Sequence, residues 1–131
     1  MKRVTGLGGF FIKTADPERL RDWYARHLDI PFDANFDGWS FQWRNSEDPS
    51  RKGSTVWGLF AASSPYFEPS PAPFMCNFRV ENLDAVLEAL AAEGVKIDPT
   101  REDSEFGRFA WIYDPDGNKI ELWEPPKDQR G

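Results

Sequence analysis

Asp114-Pro115-Asp116-Gly117-Asn118-Lys119-Ile120-Glu121-Leu122-Trp123-Glu124 is the stretch on which the fold assignment turns. Its first half is turn chemistry: proline presets φ, glycine accepts a positive φ, and aspartate carboxylates bond nearby backbone N–H groups. Its second half alternates Lys119, Glu121 and Trp123 with Ile120 and Leu122, the period of a strand with two unlike faces. Glu121 is thus a carboxylate set mid-strand beside apolar neighbours, where an ion is costly unless something pairs with it. It is either a site residue or part of a wet groove, and the choice depends on its partners.

Upstream of the turn, Phe106–Tyr113 reads as another strand and Val95–Ile97 as a short one. Before them Asn82 caps a helix whose Leu83, Val86, Leu87 and Leu90 form one stripe, with Gly94 as its stop. Phe74–Glu81 is the strand leading into that helix. The same order occurs earlier. Residues 6–13 read as a strand, Asp16-Pro17 opens a helix carrying Leu20, Trp23, Tyr24 and Leu28 at helical spacing, and Pro31 ends it. Trp39–Arg44 and Ser54–Ala62 follow as strands, with Trp39, Phe41 and Trp43 expected to form a core stripe under the helix. Between the halves, residues 63–73 carry Pro65, Pro69, Pro71 and Pro73 and read as a stiff connector. The expected organisation is one domain over residues 1–131, with a first module at about 5–62 and a second at about 74–125. Aligning the halves puts Asp16 on Asn82, Gly9 on Met75, Gly38 on Gly107, and Thr55-Val56-Trp57 on Lys119-Ile120-Glu121.

The totals exclude several classes. A chain of 131 residues with 40% hydrophobic and 15% aromatic content supports one packed core rather than disorder. A net charge of −6 with no basic run argues against nucleic acid and anionic membrane surfaces as partners. The lone Cys76 excludes an internal disulfide. No signal peptide and no apolar run near the roughly 18 residues of a membrane span are visible, so a cytoplasmic location is expected.

Paired modules closed by Asp-Pro-Asp-Gly-x-x-Ile-Glu-Leu resemble the vicinal oxygen chelate superfamily of glyoxalase, bleomycin-resistance and extradiol-dioxygenase proteins. The helix opening Ala15-Asp16-Pro17-Glu18-Arg19-Leu20, with Trp23-Tyr24 after it, and the stretch Val80-Glu81-Asn82-Leu83-Asp84 are similar to that superfamily's two helix starts. The resemblance covers about residues 5–125. It implies an α+β fold in which tandem βαβββ modules form a cupped mixed sheet around a small-molecule pocket, usually in a homodimer. In metal-dependent members four inward side chains, mostly His, Glu and Gln, hold a divalent ion. Those positions carry over to Gly9, to Trp57 or its neighbour, to Met75 and to Glu121. Glycine has no donor, tryptophan has only an N–H, and a thioether suits soft ions. The only histidine, His27, lies on the first helix, so no metal and no cofactor is expected.

If Ile12, Phe78, Ile112, Ile120 and Leu122 face the helices, alternation turns the opposite set toward the pocket. That set is Phe11, Lys13, Gln42, Arg44, Trp57, Met75, Asn77, Arg79, Trp111, Tyr113 and Glu121. Aromatic walls with a few convergent polar groups make a small-ligand site. Arg108 is a further ligand-contacting candidate that could close the pocket mouth; its plainer reading is an ordinary turn into a strand. Lys13, Arg44 and Arg79 have the plain alternative of pairing with surface acids at the rim. The residues leave open whether the chain is an enzyme. One reading is a metal-independent binder of a small organic molecule, in the manner of the bleomycin-resistance proteins. Another is a glyoxalase-like lyase or isomerase with Glu121 as general base and Gln42, Arg44 or Tyr113 stabilising charge. A third is an interaction module with no ligand. A metal-dependent dioxygenase is disfavoured.

Overall fold

The computed structural model describes residues 2–129; Met1, Arg130 and Gly131 lie outside the described residues. In chain order the elements are β1 (Val4–Thr14), α1 (Pro17–Leu28), β2 (Gly38–Arg44), β3 (Lys52–Ala61), β4 (Phe74–Val80), α2 (Leu83–Ala92), β5 (Lys96–Ser104), β6 (Gly107–Tyr113) and β7 (Lys119–Glu124). Short 3₁₀ turns occupy Pro65–Phe67 and Lys127–Gln129. Among the described residues no helix is long and apolar enough to cross a membrane.

The strands form one mixed sheet in the order β2-β3-β1-β4-β7-β6-β5. β1 and β4 run antiparallel at its centre, and each has a parallel partner on its other side, β3 and β7. The chain is therefore α+β, built from two halves that meet along β1 and β4. The second half is βαβββ, whereas the first is βαββ, one strand fewer. The missing strand would fall in residues 29–37, where Asp29 is left-handed (φ 55°), Pro31 lacks a donor and the Asp33 carboxylate caps the Asn35 N–H at 2.7 Å.

Local chemistry sets the boundaries. The Asp16 carboxylate accepts from Arg19 N at 3.1 Å with Pro17 opening α1, and Asn82 Oδ1 accepts from Ala85 N at 3.0 Å at the start of α2. In the 114–118 turn, Asp114 Oδ1 accepts from Asp116 N (3.0 Å) and Asn118 N (2.9 Å), and Gly117 takes φ 81°. β5 is longer than the expected Val95–Ile97. Its Pro99 and charged residues read as loop, but an edge strand tolerates proline, and the pairing with β6 shifts register between Ile97 and Arg101.

Apolar side chains gather on both sides of the sheet. Under α2, Val80, Leu83, Val86, Leu87, Ala110 and Leu122 pack with Phe78, Ile112 and Ile120. On the opposite, inner face Phe11, Phe67, Met75 and Trp111 pack with Val56, Phe60, Tyr66 and Phe109. The proline-rich segment is thus more than a spacer: it folds Tyr66 and Phe67 onto the inner face, and Phe67 is fully buried there.

Candidate ligand site

Register delivers the site. Glu121 on β7 pairs with Asn77 of β4 on one side and Trp111 of β6 on the other, so all three side chains project from the inner face. Asn77 Nδ2 donates to Glu121 Oε1 at 2.5 Å and Trp111 Nε1 donates to Oε2 at 3.0 Å. The Tyr66 hydroxyl, arriving from the connector, also donates to Oε2. Glu121 is 3% exposed, and these donors are all neutral. Lys119, two residues earlier on the same face, donates instead to the carbonyls of Tyr66 and Glu68, each at 3.0 Å. Burial pushes the Glu121 carboxyl above the usual carboxylate range, opposed by the hydrogen bonds from Tyr66, Asn77 and Trp111. Burial and the neighbouring carboxylate push the Tyr66 phenol up as well, so it stays a donor.

Arg79 follows Asn77 by two residues on β4 and is 1% exposed. Its Nη1 donates to Ser54 O at 3.0 Å and its Nη2 to Gln129 O, while the guanidinium lies over Trp43 and Trp123, 5.3 and 4.8 Å from the ring centroids. Burial lowers its pKa to about 10, which leaves it charged at neutral pH.

A cavity of about 310 Å³ opens in front of Glu121. Phe11, Val56, Phe109 and Trp123 give it apolar walls, and Ser40, Ser54, Gln129, Asn77 and Glu121 supply the polar lining. Asn77 Oδ1 is buried without a hydrogen-bond partner. It fits only because residue 8 is glycine: a Cβ there would sit 2.1 Å from Oδ1. A second hollow of about 500 Å³ lies beyond Tyr66 and Trp111, lined also by Glu68, Asp98, Glu102 and Lys119. A third, of about 750 Å³, runs along α1 and includes none of the sequence-predicted site residues.

The structure gathers some of those residues and separates others. Phe11, Asn77 and Glu121 line the cavity, Trp111 bonds Glu121 from behind, and Met75 is buried beside Phe11 and Trp111 without lining it. Arg79 flanks the cavity through Ser54 and Gln129 rather than lying at a rim. Lys13 lies over the Phe67 ring at 5.1 Å. Gln42 and Arg44 line a separate shallow hollow with Trp43 and Lys52, and Arg44 Nη1 donates to Pro49 O at 3.1 Å.

Four placements are corrected outright. Trp57 faces α1, edge-on to Tyr24 at 4.7 Å and to Phe32 at 5.6 Å. Its neighbour Val56 takes the inner face, because the β1–β3 register pairs Phe11 with Gly58, making Gly58 rather than Trp57 the counterpart of Glu121. A one-residue slip reverses the face. Arg108 does not close the cavity: it forms a fork with Asp84 at the start of α2, 3.0 and 3.1 Å. Tyr113 donates to Asp98 at 2.5 Å, away from Glu121, and burial followed by that bond pushes its phenol up to about 12. Trp43 likewise lies against Arg79 and not under α1.

Sequence reasoning missed Tyr66, Val56, Phe109 and Trp123. Trp123 and Phe109 were within its reach, since they share the strand parity of Glu121 and Trp111. The Tyr66-Phe67 pair in a proline-rich run was the only sign that the connector folds onto the inner face. The positions carried over for a metal do not fit one. Gly9 and Gly58 offer no donor, Met75 gives a thioether amid apolar groups, and Glu121 is engaged by three neutral donors. Among the described residues no group of three or more His, Cys, Asp or Glu is placed to hold an ion.

A family model described as Glyoxalase/Bleomycin resistance protein/Dioxygenase superfamily matches residues 6–122. Among solved structures, methylmalonyl-CoA epimerase from Mycobacterium tuberculosis aligns with TM-score 0.65 and 22% identity, over 96% of this chain and 91% of that one. A methylmalonyl-CoA epimerase in complex with methylmalonyl-CoA and NH4+ aligns with TM-score 0.69 and 13% identity, over 98% and 99%. A single-substitution variant of the Streptomyces coelicolor methylmalonyl-CoA epimerase, in complex with 2-nitronate-propionyl-CoA, gives 0.63 and 13% over 91% and 96%. No curated protein matches the sequence.

Proposed function

The chain belongs to the Glyoxalase/Bleomycin resistance protein/Dioxygenase superfamily, and from that premise we propose that it is a small-molecule-binding member. Its organic ligand occupies the 310 Å³ cavity at Glu121, without the divalent ion of metal-dependent members. One observation carries the reading: Glu121 is turned into an aromatic-walled cavity and held there by Tyr66, Asn77 and Trp111, while the other carried-over ligand positions lack a hard donor. Such a site is built to position a ligand group and not to saturate an ion. The protein acts as a homodimer in the cytoplasm on this reading, supported by the family resemblance and the single cysteine.

Native mass spectrometry and metal analysis of untreated protein, followed by crystals soaked with small aromatic fragments, test it. An organic molecule against Glu121 and Asn77 is expected, with divalent metal well below one per chain. A stoichiometric, tightly held divalent ion at Glu121 would overturn the reading, as would fragments that bind only elsewhere.

The raised pKa of Glu121 favours a second reading, in which it takes a proton from a bound substrate as a lyase or isomerase would. Gln42, Arg44 and Tyr113, offered by the sequence as charge-stabilising groups, lie away from Glu121, and Tyr66, Asn77 and Trp111 hold the base. Methylmalonyl-CoA, the compound named with the similar epimerases, is the first candidate to try. Proton exchange at its C2 in D2O should then be lost in Glu121→Gln with binding retained; exchange that survives the substitution rules the idea out.

A further inference from the structure

The buried side-chain groups at the inner end of the cavity present acceptors. Asn77 Oδ1 belongs to a side chain that is 2% exposed, lines the cavity, and has no donor. Its neighbour on the paired strand is the Glu121 carboxylate, which receives three neutral donors and, among the described residues, no cation. No described lysine or arginine lines the cavity. The guanidinium of Arg79, beside it, turns toward the carbonyls of Ser54 and Gln129 and is covered by Trp43 and Trp123. Aromatic rings make up much of the rest of the wall, beside Val56 and the neutral Ser40, Ser54 and Gln129: the rings of Phe109 and Trp123 lie parallel, 6.0 Å apart at 4°, and Phe11 adds a third. Ring faces attract cations, and a buried carboxylate without a counter-ion repels anions.

We propose that the ligand is a flat organic cation with a fork of N–H donors, an amidinium or a protonated amino-heteroaromatic, which bridges Asn77 Oδ1 and the Glu121 carboxylate. One N–H satisfies the orphaned carbonyl, the positive charge pairs with the carboxylate, and the ring lies against the aromatic walls. Acidic ligands are rejected by the same geometry, so this proposal and the methylmalonyl-CoA reading exclude each other. The inference rests on the small-molecule reading above and adds the chemistry of the ligand to it.

Benzamidine, benzamide and benzoate share a shape and carry positive, zero and negative charge, so they isolate the question. Titration at pH 8, followed by tryptophan fluorescence and calorimetry on the wild-type protein, should rank benzamidine about tenfold tighter than benzamide, with benzoate weakest. Glu121→Gln should erase the advantage of benzamidine over benzamide. Should that variant fail to fold, the wild-type ranking decides. Benzoate binding as tightly as benzamidine overturns the proposal while leaving a small-molecule site in place. The proposal is equally overturned if none of the three binds but soaked fragments occupy the cavity. If none binds and the cavity stays empty in every soak, both the proposal and the reading beneath it fail.

Discussion

Helices α2 and α1 hold equivalent places in the two halves of the sheet, yet they are attached by different physics. α2 buries Leu83, Val86 and Leu87 in an aliphatic core; α1 buries no residue, and its Trp23 and Leu28 are 50% and 57% exposed. Composition explains the contrast. α2 is Leu-Asp-Ala-Val-Leu-Glu-Ala-Leu-Ala-Ala, whereas α1 carries Glu18, Arg19, Arg21, Asp22 and Arg26 among its apolar positions. α1 is held by rings and charges: Tyr24 against Trp57, Arg21 over Phe32 at 5.2 Å, and Arg21 to Asp37 at 3.1 Å. The lesson concerns the site. Its polar end, Asn77, Trp111 and Glu121, sits on the half with a core of its own, while Gly8, Phe11 and Val56 of the weaker half supply one wall.

Leu83→Ala should have the largest effect, a loss of about 2–5 kcal/mol in urea unfolding, since a fully buried leucine leaves a cavity. If Leu20→Ala on α1 cost as much, the contrast between the helices would collapse. Next comes Gly8→Ala, expected to cost about 1–3 kcal/mol because the new methyl displaces the Asn77 amide. The same substitution should weaken any ligand held by Asn77, and undiminished stability together with unchanged binding would show that the wall yields freely.

A pH series on Glu121→Gln sharpens the comparison at the site itself. Burial holds the folded-state pKa of Glu121 above its ordinary value, so its stabilising contribution is complete below the unfolded pKa, near 4.5, and is lost as pH rises through the folded value. Wild-type stability should therefore fall relative to the Gln variant as pH climbs above 4.5. Asp98 and Asp114, whose carboxyls are held low by Tyr113 and Asn118, act in the opposite sense below their ordinary range, but both proteins share them. Parallel curves would mean that Glu121 gains as much from its donors as it loses by burial. Trp23→Ala should be the mildest change, within about 0.5 kcal/mol by thermal unfolding, as expected of a half-exposed ring.

Much of this was legible in the residues. The caps at Asp16 and Asn82, the stripe of α2 and the turn before β7 each follow from a local rule, and together they give the doubled plan. Glu121 and Asn77 were assigned to the inner face by alternation alone. The failures have a common cause, which is that register is not local. Ser54-Thr55-Val56-Trp57-Gly58-Leu59 lacks clean alternation, so nothing within it reveals that Val56 and not Trp57 turns inward. Tyr113 was drawn to the site by alternation and Arg108 as a possible closure of its mouth, but their carboxylate partners Asp98 and Asp84 come from β5 and α2, elements whose approach only the tertiary fold defines. The same holds for Tyr66, which lies 55 positions from the carboxylate it bonds.

That last contact constrains how the gene could be cut. A chain divided between its two halves would normally be opened in the segment that joins them, here residues 63–73. In this protein that segment carries Phe67 into the buried inner face and the phenol of Tyr66 to Glu121, so a break there would strip a support from the candidate site. A split reporter or a circular permutant is better opened at Asn45–Ser50, an exposed turn between β2 and β3 whose bonds are made largely within itself. The segment between the halves also holds Glu121 in place, and it has to stay in one piece.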